Sequence, residues 1–158
     1  MGAHDPQVTD VLASASGVWD RFVETIAWLD PGTAGVSSST DAWTPKQIIG
    51  HVAFWDGYAV EHPDQLVHGL TLDESEWEPL NTATARAIAA STWEDVISQL
   101  HTNHAQMMAL IDRTPELSVE MAREWTYDHY LEHERELAEL VTADRGEGSS
   151  ASSQPSIA

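Results

Sequence analysis

The sequence predicts an all-α protein, a four-helix bundle with a long connection between its second and third helices. Four segments carry apolar residues at the three- and four-residue spacing of a helix that buries one face. Turn-forming stretches separate these segments, and none shows the alternation of apolar and polar residues that is typical of a strand. At 158 residues, the chain is long enough for one domain with its own core.

The first predicted helix runs from about Gln7 to Leu29. Its apolar stripe comprises Val8, Val11, Leu12, Ala15, Val18, Trp19, Phe22, Val23, Ile26 and Leu29. The stretch DPGTAGVSSSTDAW ends this helix, because proline, glycine and serine favour turns. The second helix is predicted to begin at Pro45 and to end before Pro63. Thr44, the residue before it, can cap its first turn.

The connection from Pro63 to Ala90 is expected to contain only one or two helical turns, and its length is typical of functional loops. The third helix begins in STWEDV, a capping-box sequence, and ends near Pro115. The fourth runs from about Ser118 to Ala143. We therefore expect a bundle over residues 1–145 and a disordered tail over 146–158, where Ile157 is the one large apolar residue.

The composition argues against several classes of partner. Seven Lys and Arg against 26 Asp and Glu give a net charge of −19, which repels nucleic acid and anionic lipid surfaces. The N-terminal stretch MGAHDPQVTD lacks the features of a signal peptide, and no apolar run is long enough to span a membrane. We therefore expect a cytoplasmic protein that binds a small molecule, and a homodimer is left open.

Histidines on the predicted core faces are the main functional signal. His129 and His133 lie four residues apart, so their rings project from the same face of the fourth helix. His51 lies among apolar residues on the inward stripe of the second helix. The alternative is that carboxylates such as Glu132 or Glu136 bind these rings. Because each desolvated ring needs a partner, one metal ion shared by all three histidines is the hypothesis we favour.

Two stretches also resemble a known family. WTPKQIIGHVAFWD, followed far downstream by DHYLEH, is similar to the DinB/YfiT-like superfamily of metal-binding four-helix bundles, over about Val8 to Val141. In that family one histidine of the second helix and an HxxxH pair of the last helix hold a divalent metal. The resemblance implies that His51, His129 and His133 are the ligands here.

The resemblance also implies the kind of chemistry. The superfamily includes maleylpyruvate isomerases and S-transferases that use mycothiol or bacillithiol, and colibactin self-resistance proteins that open an electrophilic cyclopropane. The sequence lacks cysteine, so catalysis would depend on a metal-bound water or thiolate. Zinc suits three histidines best, although nickel and iron also accept them, and a low-molecular-weight thiol is a candidate co-substrate.

Four further residues are candidates for binding the substrate. Trp77 lies in the long connection and is the aromatic residue that we most expect to touch a ligand. Tyr58 and Trp55 follow His51 on the second helix, and His104 lies on the inward stripe of the third. Aromatic residues in a bundle more often pack than bind, so a purely structural role for each is the alternative. A non-catalytic protein that sequesters a metal or drug, and a bundle whose histidines are only structural, are the competing functions.

Overall fold

The structure, a computed structural model, describes residues 2–36 and 42–153, and every element of regular secondary structure in these ranges is a helix. In order, the elements are α1 (Pro6–Ala27), α2 (Pro45–Glu61), α3 (Pro63–His68), α4 (Glu74–Ala89), α5 (Trp93–Asp112), α6 (Val119–Ala122), a π-helical turn (Arg123–Tyr127) and α7 (Asp128–Ser153). Helix α1 packs against α7, and α2 packs against α5, α4 and α7. The predicted all-α bundle is confirmed. No helix within the described ranges is long and apolar enough to cross a membrane.

Local capping interactions explain where the long helices begin. Thr44 and Gln47 form a reciprocal capping box at the start of α2, with Pro45 in the first turn, as the sequence predicts. The Thr92 hydroxyl caps α5 by accepting the Asp95 N–H at 3.1 Å. Residues 37–41 of the predicted turn before α2 lie outside the described residues.

The long connection is far more helical than the sequence predicts. Instead of one or two turns, it contains α3 and the 16-residue helix α4, which is packed on α2. Side chains of α2 hold the end of α4. The Gln47 amide donates to the Ala85 carbonyl at 3.0 Å, and the Lys46 ammonium donates to the Ser91 carbonyl at 2.7 Å. These tertiary bonds stabilise a helix whose own sequence has little apolar character and contains Pro79.

The predicted fourth helix is not one regular α-helix. It begins as α6, passes through the π-helical turn and continues as α7 to Ser153. Residues 146–153 of the predicted tail therefore have a helical backbone, while residues 154–158 lie outside the described part. The expected boundary at residue 145 stays a prediction.

Helix α2 lies at the centre of the molecule. Its buried residues point in several directions: Ile48, Ile49, Gly50, His51, Val52, Ala53, Trp55, Asp56 and Ala59. A Cβ atom at Gly50 would lie 2.6 Å from the Ile88 Cγ1 atom, so glycine allows α4 to approach α2 closely. Neighbours on several sides thus fix α2, which carries His51.

A buried polar network joins α2, α5 and α7. The Tyr130 hydroxyl donates to the Asp56 carboxylate at 2.9 Å and accepts from the His104 Nδ1 atom at 3.0 Å. The Trp19 ring of α1 stacks on the His104 ring with 3.5 Å between the centroids. Burial raises the pKa of Asp56, although the bonds and charge of its partners oppose this shift. The network therefore gives a desolvated carboxyl group its polar partners at the point where four helices meet.

We expect Tyr130→Phe to lower the free energy of unfolding by about 1–3 kcal/mol, because it leaves the Asp56 carboxyl with one weaker partner in a desolvated site. Denaturant unfolding followed by circular dichroism would measure the loss. Tyr127→Phe is the matched control, since Tyr127 is only partly buried. Equal losses in the two variants would contradict a stabilising role for the network.

Candidate metal centre

Two helices bring three histidines together. His51 comes from α2, and His129 and His133 come from successive turns at the start of α7. One candidate ligand atom from each residue lies within 4.8 Å of those from the other two. The Nε2 atoms of His51 and His129 are 3.4 Å apart, and the His133 ring centroid is 4.7 Å from the centroid of each of the other rings. This cluster matches the ligand set that the sequence predicts.

The elements around the cluster explain its position. The π-helical turn ends immediately before α7, and the Asp128 N–H bonds to the Arg123 carbonyl five residues earlier. Such turns often occur at functional sites because they change the register of the residues that follow. After the turn, His133 and Leu137 continue the buried face that Trp125 begins. The local irregularity therefore immediately precedes the helix that carries His129 and His133.

Burial keeps two of the three imidazoles uncharged. Desolvation, and then repulsion from His133, lowers the pKa of His51 to about 3. Desolvation likewise lowers the pKa of His129 well below its usual range, with smaller contributions from His133 and His51. Both rings are therefore uncharged at neutral pH, and the neutral imidazole is the form that binds a metal ion.

The cluster also lacks protein partners for its polar atoms. The Nδ1 atoms of His51 and His133 are buried and have no hydrogen-bond partner among the described residues. The nearest carboxylate oxygen to the His133 Nδ1 atom belongs to Glu136, at 3.6 Å, which exceeds a good hydrogen-bond distance. A desolvated imidazole is costly without a partner, and each ring offers a divalent ion one nitrogen, with the three nitrogens within 4.8 Å of one another. The residues therefore fit a metal ion held by three histidines.

An open cavity of about 370 Å³ adjoins the three histidines. Its other lining residues are Trp43, Trp55, Leu70, Trp77, Asn81, Glu124, Trp125 and Glu132. Trp55 donates its indole N–H to the Asn81 Oδ1 atom at 2.8 Å. An indole N–H can only donate, so this bond orients the Asn81 amide with its NH₂ group available for another partner. The cavity thus combines indole walls with one oriented amide beside the histidines.

The structure places two of the four predicted substrate-binding residues at this cavity. Trp77 and Trp55 line it, whereas Tyr58 and His104 do not. The Tyr58 ring stacks on the His62 ring and its hydroxyl donates to Gln65, in a separate groove between α2, α4 and α5. His104 belongs to the buried network with Tyr130 and Asp56.

Sequence reasoning missed several residues that line the cavity. Trp43 precedes α2, and Asn81 lies in the middle of α4, which was expected to be mostly irregular. Trp125 is both buried and part of the cavity wall. The sequence contains seven tryptophans, but the location of four of them around one cavity depends on how α2, α4 and the π-helical turn pack.

Comparison with protein families agrees with the fold and the histidine cluster. A model of the DinB superfamily matches residues 15–138, which include all three histidines. The chain belongs to the DinB superfamily. Comparisons with curated proteins and with solved structures found no match.

We expect one divalent metal ion per chain, and His129→Ala should lower zinc affinity by more than about 100-fold. Even residues that only orient a metal ligand are worth about 10–100-fold in affinity, so loss of a ligand should cost more. Elemental analysis and competition with a chromophoric chelator would measure content and affinity. The exposed His101, changed to Ala, is the matched control. Unchanged zinc content in His129→Ala would contradict the assignment.

Zinc binding should release few protons even in mildly acidic solution. Three ordinary histidines with a pKa near 6.5 would together release about two protons at pH 6. His51 and His129 have pKa values well below this pH, so they hold no proton for the ion to displace. These two rings should contribute no proton, so we expect at most about one proton released per zinc. Calorimetry in buffers of different ionisation enthalpy measures this number, and a value of two or more would contradict the neutral state of His51 and His129.

Proposed function

We propose that the protein is a divalent-metal-dependent enzyme that acts on a reactive small molecule. The observation that carries the proposal is the position of three histidines, at least half-buried and two with strongly lowered pKa values, at an open cavity with indole walls. A purely structural histidine cluster would have no need of an adjoining cavity. Membership of the DinB superfamily supports a metal at this position.

The chain's own residues would have separate tasks. His51, His129 and His133 would hold the ion, which supplies Lewis-acid chemistry by activating water or a thiol. The tryptophan walls would bind the apolar part of the substrate and displace water from it. Since the sequence has no cysteine, the protein itself offers no thiol nucleophile.

Two reactions are compatible with this arrangement. In hydrolysis, the oxygen of water bonds to an electrophilic carbon, the strained bond to that carbon breaks, and the water proton goes to the departing atom. In thiol transfer, the sulfur of mycothiol or bacillithiol takes the place of the oxygen, and the thiol proton is transferred likewise. Either reaction would serve detoxification, self-resistance or secondary metabolism. Zinc is the metal that three neutral imidazoles suit best, with nickel and iron as alternatives.

We expect the zinc-loaded protein to turn over at least one member of a panel of epoxides and activated cyclopropanes, tested alone and with mycothiol or bacillithiol. Product should exceed the enzyme concentration many times, and His51→Ala should abolish it, because that variant loses a ligand. His101→Ala, in which the cluster is intact, should retain full activity. Mass spectrometry distinguishes the hydrolysed product from the thiol adduct.

The alternative function predicts a different stoichiometry. A sequestering protein would protect against the electrophile or bind the drug one-to-one, with no product beyond one equivalent. If a fully metal-loaded sample gave this result, it would contradict the enzyme proposal and support a sequestering function. Absence of bound metal in a sample prepared with zinc would contradict the enzyme proposal.

A further inference from the structure

The mouth of the cavity beside the histidines has a distinct charge. Glu124 and Glu132 line the cavity and are exposed to solvent, whereas His51 and His133 are buried. The two carboxylates therefore lie at the mouth, and the histidine cluster lies on the inner side. The cavity thus has carboxylates where a ligand enters and imidazoles on its inner side.

No basic side chain compensates for these carboxylates. No lysine or arginine lines the cavity, and neither Glu124 nor Glu132 has an ion-pair partner among the described residues. The nearest arginine in the sequence, Arg123, is instead 3.4 Å from the Asp128 carboxylate, and its guanidinium carbon lies 5.2 Å from the centre of the Tyr127 ring. The two negative charges at the mouth are therefore available to a ligand.

The tryptophan walls of the cavity favour a cationic ligand, as the carboxylates at its mouth do. Four tryptophans, Trp43, Trp55, Trp77 and Trp125, line the cavity. The face of an indole ring attracts an organic cation within about 6 Å, and tryptophan does so more strongly than the other aromatic residues. The same faces stack on flat apolar groups. A ligand with an ammonium group next to a flat aromatic or conjugated group would therefore find partners for both groups.

The charges of the chain and of the cavity mouth repel anionic ligands. The net charge of −19 gives the chain a field that opposes the approach of anions, and the mouth adds two local negative charges. A metal ion on the histidines would attract electronegative atoms, but only on the inner side of the cavity. A ligand should therefore enter with its positive group at the mouth and its uncharged, reactive part towards the histidines.

From these features we infer that the cavity selects small molecules that carry an organic cation beside a flat apolar group, and that it discriminates against carboxylates and phosphates. The inference rests on the proposed function in one respect, since it names the substrate class of the same site. It excludes dianionic acids as good substrates. Among the candidate thiols, it favours those without carboxylates.

The test is binding by the zinc-loaded protein, measured by calorimetry with no reaction taking place. The probes share one ring system and differ in charge: (1-naphthylmethyl)trimethylammonium, 1-naphthalenemethanol and 1-naphthylacetate. The quaternary ammonium cannot bind zinc, whereas the carboxylate can, so any metal contribution works against the inference. We expect the cation to bind at least tenfold more tightly than the alcohol, and the acetate to bind most weakly.

Paired variants locate the source of the preference. Glu124→Gln combined with Glu132→Gln should reduce the preference for the cation about tenfold and leave zinc content and alcohol binding unchanged. Glu134→Gln combined with Glu139→Gln is the matched control, because it removes the same charge from α7 at positions that do not line the cavity. This control should retain the preference of the wild type.

Two results would overturn the inference. One is acetate binding as tightly as the cation to the wild-type protein. The other is equal loss of cation preference in both double variants, which would assign the effect to the charge of the whole chain. Neither result depends on turnover, so this inference fails separately from the proposed enzyme. Failure of the wild type to bind zinc would refute the proposed function instead.

Discussion

The convergence of three imidazoles on one point is the interaction on which the rest of the structure depends. His51 can meet His129 and His133 only if α2 and α7 hold a fixed distance and rotation. Packing fixes α2 on several sides, with Gly50 allowing the close approach of α4. The bond from Tyr130 to Asp56 joins α2 directly to α7, one residue after His129. The fold thus determines the geometry of the ligands.

Desolvation links this geometry to chemistry. Three rings in mutual contact, with two Nδ1 atoms unpartnered within the described residues, form a costly arrangement in a protein without a ligand. The same burial lowers the pKa values of His51 and His129, so protons do not compete for these rings near neutral pH. The adjoining cavity gives a small molecule access to this position. Burial therefore keeps His51 and His129 in the neutral form that a metal ion requires.

The sequence carries the local features well. Caps at Thr44 and Thr92 and the apolar periodicity predict where the long helices begin. The histidine cluster was predictable because three polar residues on apolar stripes need a common partner. Family resemblance assigned the same three residues, and the structure brings them together.

The helical structure of the long connection and the lining of the cavity depend on tertiary contacts, which the apolar periodicity of the sequence does not predict. Helix α4 has a polar, alanine-rich sequence with Pro79 inside it, and bonds from Lys46 and Gln47 help to hold it. The position of Asn81 in the cavity follows from that helix. Tyr58 was a reasonable candidate from its proximity to His51 in the sequence. However, Tyr58 lies seven residues after His51, about 10 Å further along α2. Its side chain lines a separate groove.

X-ray absorption at the zinc edge is the most direct test of the central claim that three histidines hold a metal ion with a position open to the cavity. The account predicts about four nitrogen or oxygen ligands at roughly 2.0–2.1 Å, with the scattering of three imidazole rings. Addition of a small thiol should introduce one sulfur at about 2.3 Å. A spectrum without imidazole scattering, or one that the thiol leaves unchanged because four protein ligands close the site, would contradict the account.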